Sequence, residues 1–298
     1  MDKIIECIPN FSEGRDKEVI ENIMQTLRCR DNVKLLDYSS DYDHNRTVVT
    51  IIGTPEGLER AISDFAEKIY ENIDMRKHKG EHPRMGALDV VPFVPVKGVE
   101  IEECIELAKR VGRNLSEKFH IPVYLYEDAA TSKSRQNLAA IRKGQYEGFF
   151  EKIKQKEWKP DFGPEEVNLK GGCLAVGVRF PLVAFNVNLS TNDINIANNI
   201  ARVIRNIGGG LRFVKAMGVS LVERDIVQIS MNLVNYEKTA IYRAFEMIRI
   251  EAKRYGVNII GSEVVGLVPM DALINTAEYY LQIENFSKDQ ILERRIWE

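Results

Sequence analysis

Two of the chain's four histidines fall in one short stretch, Arg76-Lys77-His78-Lys79-Gly80-Glu81-His82-Pro83-Arg84-Met85-Gly86-Ala87. It carries four formal cations against one anion, in a chain whose net charge is −3. That composition suits an anion site with an imidazole at its centre, and imidazole is the side chain fitted to proton transfer near neutral pH. The plainer reading is a solvated basic connection between a helix and a strand. His78 and His82 also stand in HxxxH spacing. A zinc site uses that spacing when both histidines lie on one helix face with a glutamate after the first. Here Gly80 and Pro83 break a helix, Glu81 stands directly before His82, and no third ligand cluster accompanies them. No metal is expected.

A second polar group is Asp41-Tyr42-Asp43-His44-Asn45-Arg46-Thr47. Two carboxylates, a histidine and an arginine could grip a cationic substrate group. Equally, this is a turn whose Asp and Asn side chains bond their own backbone. A third is the polar strand exit from Asn10 to Arg15, the kind of position that lines sites in α/β folds. Gly208-Gly209-Gly210 could serve as a lid or as a backbone cradle for an anion. No GxGxxG follows an early strand, no P-loop GKS or GKT occurs, and GxSxG is missing. A bound nucleotide cofactor and a serine hydrolase are therefore not expected.

The elements that must hold these residues follow from periodicity. A short apolar strand runs from Ile4 to Pro9, a helix spans Lys17–Leu27, and strands at Val33–Tyr38 and Thr47–Ile52 form a hairpin with a long tip. Thr54-Pro55-Glu56 caps a helix to about Ile73. Ala87–Val96 and Pro122–Tyr126 read as strands. Glu100–Lys118 reads as a long helix, and Ser132–Arg142 as helical. Phe149–Lys170 lacks a clear period and reads as an inter-domain segment, with Trp158 and Phe162 packed on something. Leu174–Leu189 reads as one or two strands broken near Pro181. A helix at Ile194–Ile207, a hairpin of Val214–Leu221 with Ile226–Leu233, a helix at Lys238–Tyr255, a strand at Val257–Val265 and a helix at Pro269–Tyr280 complete the chain. Both halves show nearly the order β-α-β-β-α-β. The expected fold class is α+β, with two ferredoxin-like subdomains, each a mainly antiparallel sheet with helices on one face.

Size and composition agree with this. A chain of 298 residues buries enough surface to fold without disulfides or metal. With 44% hydrophobic and 29% charged residues, disordered, collagenous and coiled-coil classes are excluded. The near-neutral charge gives no global attraction to nucleic acid or membrane, and no apolar run is long enough to span a bilayer. Cys7, Cys29, Cys104 and Cys173 form no CxxC pair, so free thiols in a reducing cytoplasm are expected.

The sequence resembles glutamate formiminotransferase, the transferase portion of the bifunctional formiminotransferase-cyclodeaminase. The phrases that carry the resemblance are Cys7-Ile8-Pro9-Asn10-Phe11-Ser12-Glu13-Gly14-Arg15, Asn45-Arg46-Thr47-Val48 and Gly80-Glu81-His82-Pro83-Arg84-Met85-Gly86-Ala87-Leu88-Asp89-Val90. Further along stand Pro122-Val123-Tyr124-Leu125-Tyr126, Asp161-Phe162-Gly163-Pro164, Ala184-Phe185-Asn186-Val187-Asn188-Leu189 and Val265-Gly266-Leu267-Val268-Pro269. They run in order over nearly the whole chain, and the longest phrase, from Gly80, is the most specific. No cyclodeaminase portion is expected.

The resemblance implies an N-terminal subdomain at 1–178 and a C-terminal one at 179–298, flanking a substrate groove, in a cytoplasmic homodimer. It implies transfer of the formimino group from N-formimino-L-glutamate to tetrahydrofolate, giving 5-formimino-tetrahydrofolate and glutamate in histidine degradation. Tetrahydrofolate is then a co-substrate, and no tightly bound cofactor is implied. His82 aligns with the family's catalytic histidine, which serves as base and then acid. Arg84, Lys79 and Arg15 are candidate partners for substrate carboxylates or a polyglutamate tail. Asp43 or Glu81 could hold the amidinium, and Asn10 lies beside them at the strand exit. The family's folate-lining segment falls on Gly163, Pro164, Glu165, Glu166, Val167, Asn168, Leu169, Lys170, Gly171 and Gly172. Gly163, Pro164 and Gly172 match the pattern. Residues 165–171 depart from the more apolar animal form, as does the tip Asp43-His44. Two other readings stay open beside this one: a formyl transfer on the same fold, and a folate-binding protein without turnover. A metal-dependent hydrolase using His78 and His82 is the remaining rival.

Overall fold

The structure is a computed structural model and describes residues 2–297. The chain divides into two compact units, Met1–Arg179 and Phe180–Glu298.

The first unit is built on one seven-stranded sheet. Its strands are β1 (Ile4–Cys7), β2 (Asn10–Phe11), β3 (Val33–Asp41), β4 (Arg46–Gly53), β5 (Leu88–Lys97), β6 (Val123–Glu127) and β7 (Leu174–Val178). β1 and β2 both pair with β4 on one side and β5 on the other, so they are two pieces of one interrupted strand. Pro9 lies at the interruption, where it lacks a ladder donor. Beyond β5 the pairing changes from antiparallel to parallel, through β7 to β6.

Helices α1 (Lys17–Gln25), α2 (Pro55–Asn72) and α3 (Ile101–Phe119) share the main core with one face of the sheet. Asp16 caps α1 by accepting from the Glu18 and Val19 amides, and Thr54 caps α2 with Pro55 at its first position. Parallel strands are usually covered on both faces. Here Val90, Tyr124, Tyr126 and Ala175 turn to a second, smaller core with Ile141 of α4 (Leu138–Arg142), Phe149 of α5 (Gln145–Lys152) and Trp158. The first unit therefore departs from a simple ferredoxin-like layer: its parallel half carries helices on both faces.

This second core also corrects the reading of Phe149–Lys170 as an inter-domain segment. The segment belongs to the first unit. The Tyr124 hydroxyl donates to the Trp158 carbonyl at 2.7 Å. Asp161 accepts from the Leu125 amide at 2.8 Å and pairs with Arg135 at 2.8 Å. Lys152 sits nearly buried, with its ammonium donating to the Ala140 and Ile141 carbonyls at the end of α4.

The second unit has the ferredoxin-like order. It runs β8 (Val183–Leu189), α6 (Ile194–Ile204), β9 (Val214–Leu221), β10 (Ile226–Leu233), α7 (Ile241–Arg254) and β11 (Ile259–Val265), then α8 (Met270–Leu281) and α9 (Leu292–Trp297). Its sheet is antiparallel throughout, in the order β11–β8–β10–β9. Val183, Phe185, Val187 and Leu189 alternate into a core with Ile200 of α6 and Ile248 of α7. Gly208-Gly209-Gly210 closes the turn after α6, with the Gly210 amide donating back to the Arg205 carbonyl at 3.1 Å. It is a helix stop rather than an anion cradle.

Candidate functional site

Three polar loops of the first unit come together at one edge of its sheet. They are the exit from β2 (residues 12–16), the tip between β3 and β4 (residues 41–46), and the long connection from α2 to β5 (residues 73–87). One side chain joins all three. Asn45 is buried and sits in the left-handed region at φ 48°. Its side-chain oxygen accepts from the Gly14 amide at 2.9 Å, and its amide donates to the Lys79 carbonyl at 2.9 Å. The Glu81 amide donates to the Asp43 carbonyl at 3.1 Å. Gly80 allows this approach, because a Cβ there would lie 2.3 Å from the His44 carbonyl oxygen.

His78 is used in the same framework. Its Nε2 donates to the Asn45 carbonyl at 2.9 Å, and its Nδ1 accepts from Arg84 Nε at 3.2 Å. Both ring nitrogens are thus engaged and the ring is neutral. Burial lowers its pKa, and Arg84 adds to the effect. His78 and His82 do not converge as an HxxxH ligand pair, and no group of three His, Cys, Asp or Glu among the described residues is placed to hold a metal.

His82 stands half-buried at the centre. The His44 ring lies edge-on at 6.1 Å. The Arg46 Nη1 lies 3.0 Å from His82 Nδ1 and 3.1 Å from Nε2. A guanidinium only donates, so the imidazole nitrogen facing it carries the lone pair. Burial lowers the His82 pKa to about 2, and the positive charges of Arg46, Arg142 and Arg84 add to that. His82 is therefore a neutral imidazole throughout the physiological range, a proton acceptor in waiting.

The cations around His82 are unequal. Arg84 is buried and makes a bidentate pair with Glu147 at 2.7 and 2.9 Å, with a further bond to Gln145 at 2.8 Å. Arg142 pairs with the buried Asp89, which also accepts from the Met85 amide at 2.7 Å. His44 lies 3.0 Å from Asp41. Arg46 has no carboxylate partner among the described residues, and its Nε is buried without a hydrogen bond.

The residues singled out in the sequence fall as follows. His82, Glu81, Asp43, Asn10 and Arg15 belong to the three joined loops or their flanking strand. Arg15 donates to the Tyr42 carbonyl at 2.9 Å and lies over the Tyr42 ring, while the Asn10 amide turns back to the Ile8 carbonyl at 3.0 Å. Arg84 lies beneath the site with its charge already matched, so it acts as a support. Segment 163–172 is split. Gly171 and Gly172 run beside Met85–Ala87, with the Ala87 amide donating to the Gly171 carbonyl at 2.8 Å. Asn168 makes the turn that brings them there, accepting from the Lys170 and Gly171 amides. Val167 packs on the core, Leu169 is exposed, and the Lys170 ammonium donates to the Glu71 carbonyl at 2.9 Å. Glu165 pairs with Lys159 at 2.8 Å, and Glu166 is exposed. Gly163 and Pro164 border a depression of about 630 Å³ together with Arg113, Ser116 and His120.

Asn45 and the Asp89–Arg142 pair were not singled out for the site from sequence. Arg46 was raised only as the arginine of the 41–47 phrase, which reads equally well as a turn. Arg142 had no local signal, since its partner lies on a strand far away in the chain.

The chain was compared with known proteins on this footing. The formiminotransferase domain, N-terminal subdomain, matches residues 4–179, and the formiminotransferase domain matches residues 184–295. A glutamate formimidoyltransferase of Streptococcus pyogenes is 53% identical over 99% of both chains. One of Thermoplasma acidophilum is 48% identical over 98% of this chain and 97% of its own. The formimidoyltransferase-cyclodeaminase of Rattus norvegicus is 45% identical over 95% of this chain, which spans about half of that longer protein. By two family matches that follow one another along nearly its entire length, the chain belongs to the formiminotransferase family.

Proposed function

We propose that the chain is a glutamate formimidoyltransferase that moves the formimino group from N-formimino-L-glutamate to N5 of tetrahydrofolate, a step of histidine degradation. The reaction rests on the whole-length likeness to relatives of that name. The assignment of His82 rests on one observation: a half-buried, neutral imidazole at the junction of three loops, in contact with a guanidinium that has no acidic partner among the described residues.

The chemistry requires such a group. N5 of the folate attacks the amidine carbon and a C–N bond forms, giving a tetrahedral carbon. N5 gives its proton to His82. The resulting imidazolium returns that proton to the glutamate nitrogen, the bond from carbon to that nitrogen breaks, and glutamate leaves with its amine intact. One imidazole serves as base and then acid, and no net proton is consumed. Burial, with the charges of Arg46 and Arg142 added, holds the imidazole neutral until substrate arrives. No resident cofactor enters this scheme; tetrahydrofolate is consumed as a co-substrate.

The folate is assigned to the segment from Gly163 to Gly172 by the family pattern, with Gly171 and Gly172 the part nearest the His82 loop in hydrogen-bond terms. The four cysteines are free, which suits a cytoplasmic enzyme. The proposed assembly is a homodimer, read out by sedimentation. The decisive assay supplies tetrahydrofolate with N-formiminoglutamate and, separately, with N-formylglutamate. Glutamate release from the formimino donor, with 5-formimino-tetrahydrofolate formed, supports the proposal. Release from the formyl donor alone replaces it with formyl transfer, and folate binding without release from either donor replaces it with a non-catalytic role.

A further inference from the structure

The unmatched guanidinium beside His82 has a further meaning if the transferase reading above is taken as the starting point. Of the groups that face His82, Arg84 is neutralised by Glu147 and Arg142 by Asp89, and the His44 ring lies 3.0 Å from Asp41. These come from the His82 loop itself, from α4 and from the β3–β4 tip. Arg46, the first residue of β4, lies in the field of Arg142, Asp89 and Asp41. Neither of those carboxylates pairs with it. Its Nη1 is occupied only by the imidazole, and its Nε is buried without a partner. Arg46 is half-buried, and its buried, idle Nε is costly unless something arrives to satisfy it. The fork geometry of Arg favours a carboxylate.

The donor substrate has two carboxylates, and only one can serve here. The α-carboxylate and the formimino nitrogen are bonded to the same carbon. A group that fixes the α-carboxylate therefore fixes the departing nitrogen within a few bonds. The γ-carboxylate is two methylenes further away. Arg46 touches His82, so an anion seated on Arg46 brings the α-nitrogen to the imidazole. We propose that Arg46 seats the substrate's α-carboxylate, and that this anion, by drawing the guanidinium off His82, frees the imidazole nitrogen that accepts the N5 proton. The empty enzyme then carries its base in a blocked form, and the donor substrate itself unblocks it. The effect is differential, because the anion neutralises Arg46 only when it is bound beside the base.

The test follows the His82 imidazole by NMR in histidine-labelled full-length protein, with the resonance assigned from His82→Gln. The probe is N-acetyl-L-glutamate, which has both carboxylates and an uncharged nitrogen but cannot transfer a formimino group. In the free protein His82 should not titrate between about pH 5 and 9. Saturating N-acetyl-L-glutamate should raise its midpoint and shift its ring-nitrogen resonances, because the seated anion cancels the Arg46 charge and takes the guanidinium off the ring. N-acetyl-L-glutamine, which keeps the α-carboxylate, should do the same. The α-amide, N-acetyl-L-isoglutamine, should not. Arg46→Gln should bind N-acetyl-L-glutamate at least tenfold more weakly, and the His82 midpoint in it should no longer respond to the probe. Arg46→Lys keeps the charge without the fork and covers the case in which Arg46→Gln does not fold. It should bind the probe more weakly while His82 still responds.

Equal responses to the two amides, or a probe affinity indifferent to Arg46→Gln and Arg46→Lys, overturns the proposal even if formimino transfer is observed. The predicted NMR pattern in a protein that transfers nothing from formiminoglutamate would leave the carboxylate seat in place and remove the transferase reading instead.

Discussion

At the scale of single residues, His82 and Arg84 make opposite predictions although they stand two positions apart. His82→Ala should lower kcat by about 10²–10⁴-fold with folate affinity little changed, because a general acid/base contributes that much. Single-turnover assays beside an equilibrium folate titration check this, and near-native turnover would remove His82 from the chemistry. Arg84→Met should act on stability, since it strips bonds from Glu147, Gln145 and His78 in a buried setting. A loss of about 2–4 kcal/mol in urea denaturation is expected, whereas an unchanged urea midpoint with a raised Michaelis constant would make Arg84 a substrate ligand after all. Sequence could separate neither role. Both residues sit in the same basic phrase, and what distinguishes them is Glu147, on a helix that shows no clear period in sequence. The imidazole was legible because few other side chains suit proton transfer at neutral pH. Arg46 was legible only as one member of the 41–47 phrase, because its importance lies in the carboxylates that pair with the other cations around His82 and leave it out.

At the scale of elements, the fold was legible wherever burial is one-sided. The amphipathic helices α2 and α3 and the alternating strand β4 end within a residue or two of the positions their periods indicate. The parallel ladder was hidden. β5 and β7 are buried on both faces and read as plain apolar runs, and β7 lies in sequence next to the first strand of the other unit. The short helix α4 falls inside the Ser132–Arg142 reading and ends with it, whereas α5, 8 residues long, is too short for a helical period to emerge. The loops that form the site hang on contacts between such elements, and two substitutions test this. Asn45→Ala removes two side-chain bonds and leaves at φ 48° a residue that tolerates the left-handed region less well than Asn, for an expected loss of about 2–3 kcal/mol together with reduced turnover. Asn45→Gly relieves the backbone strain alone, so it should recover only part of the stability in the same urea series. At Gly86 a Cβ would lie 2.0 Å from the Cys173 carbonyl oxygen. Gly86→Ala should therefore separate the 171–173 backbone from Met85–Ala87 and abolish transfer; a fully active Gly86→Ala enzyme would show that this contact does not position the site.

For the molecule as a whole, both histidines of the loop are held neutral when folded and return to ordinary basicity when unfolded. Their folded pKa values lie below the usual 6.5. Below that pH the unfolded chain binds more protons, so stability is fully present above about pH 6.5 and falls as the solution is acidified. His82 alone should account for a loss on the order of 1 kcal/mol by about pH 5.5, allowing for its partial exposure. Urea midpoints between pH 8 and 5 measure the slope, and His82→Gln should flatten it; an unaltered slope would place the acid sensitivity elsewhere. The two units have separate cores, so a fragment of residues 1–179 is expected to fold by itself, with the His82 loop intact by amide chemical shifts. The Asn45 side chain carries one more consequence, on the clock of hydrogen exchange. The Gly14 amide donates to a side chain 31 positions away, the same side chain holds the loop that carries Lys79, and the Glu81 amide of that loop donates to the Asp43 carbonyl of the same tip. Deuterium should therefore enter Gly14 and Glu81 at a common rate, set by a single opening event shared by stretches of chain that never meet in sequence.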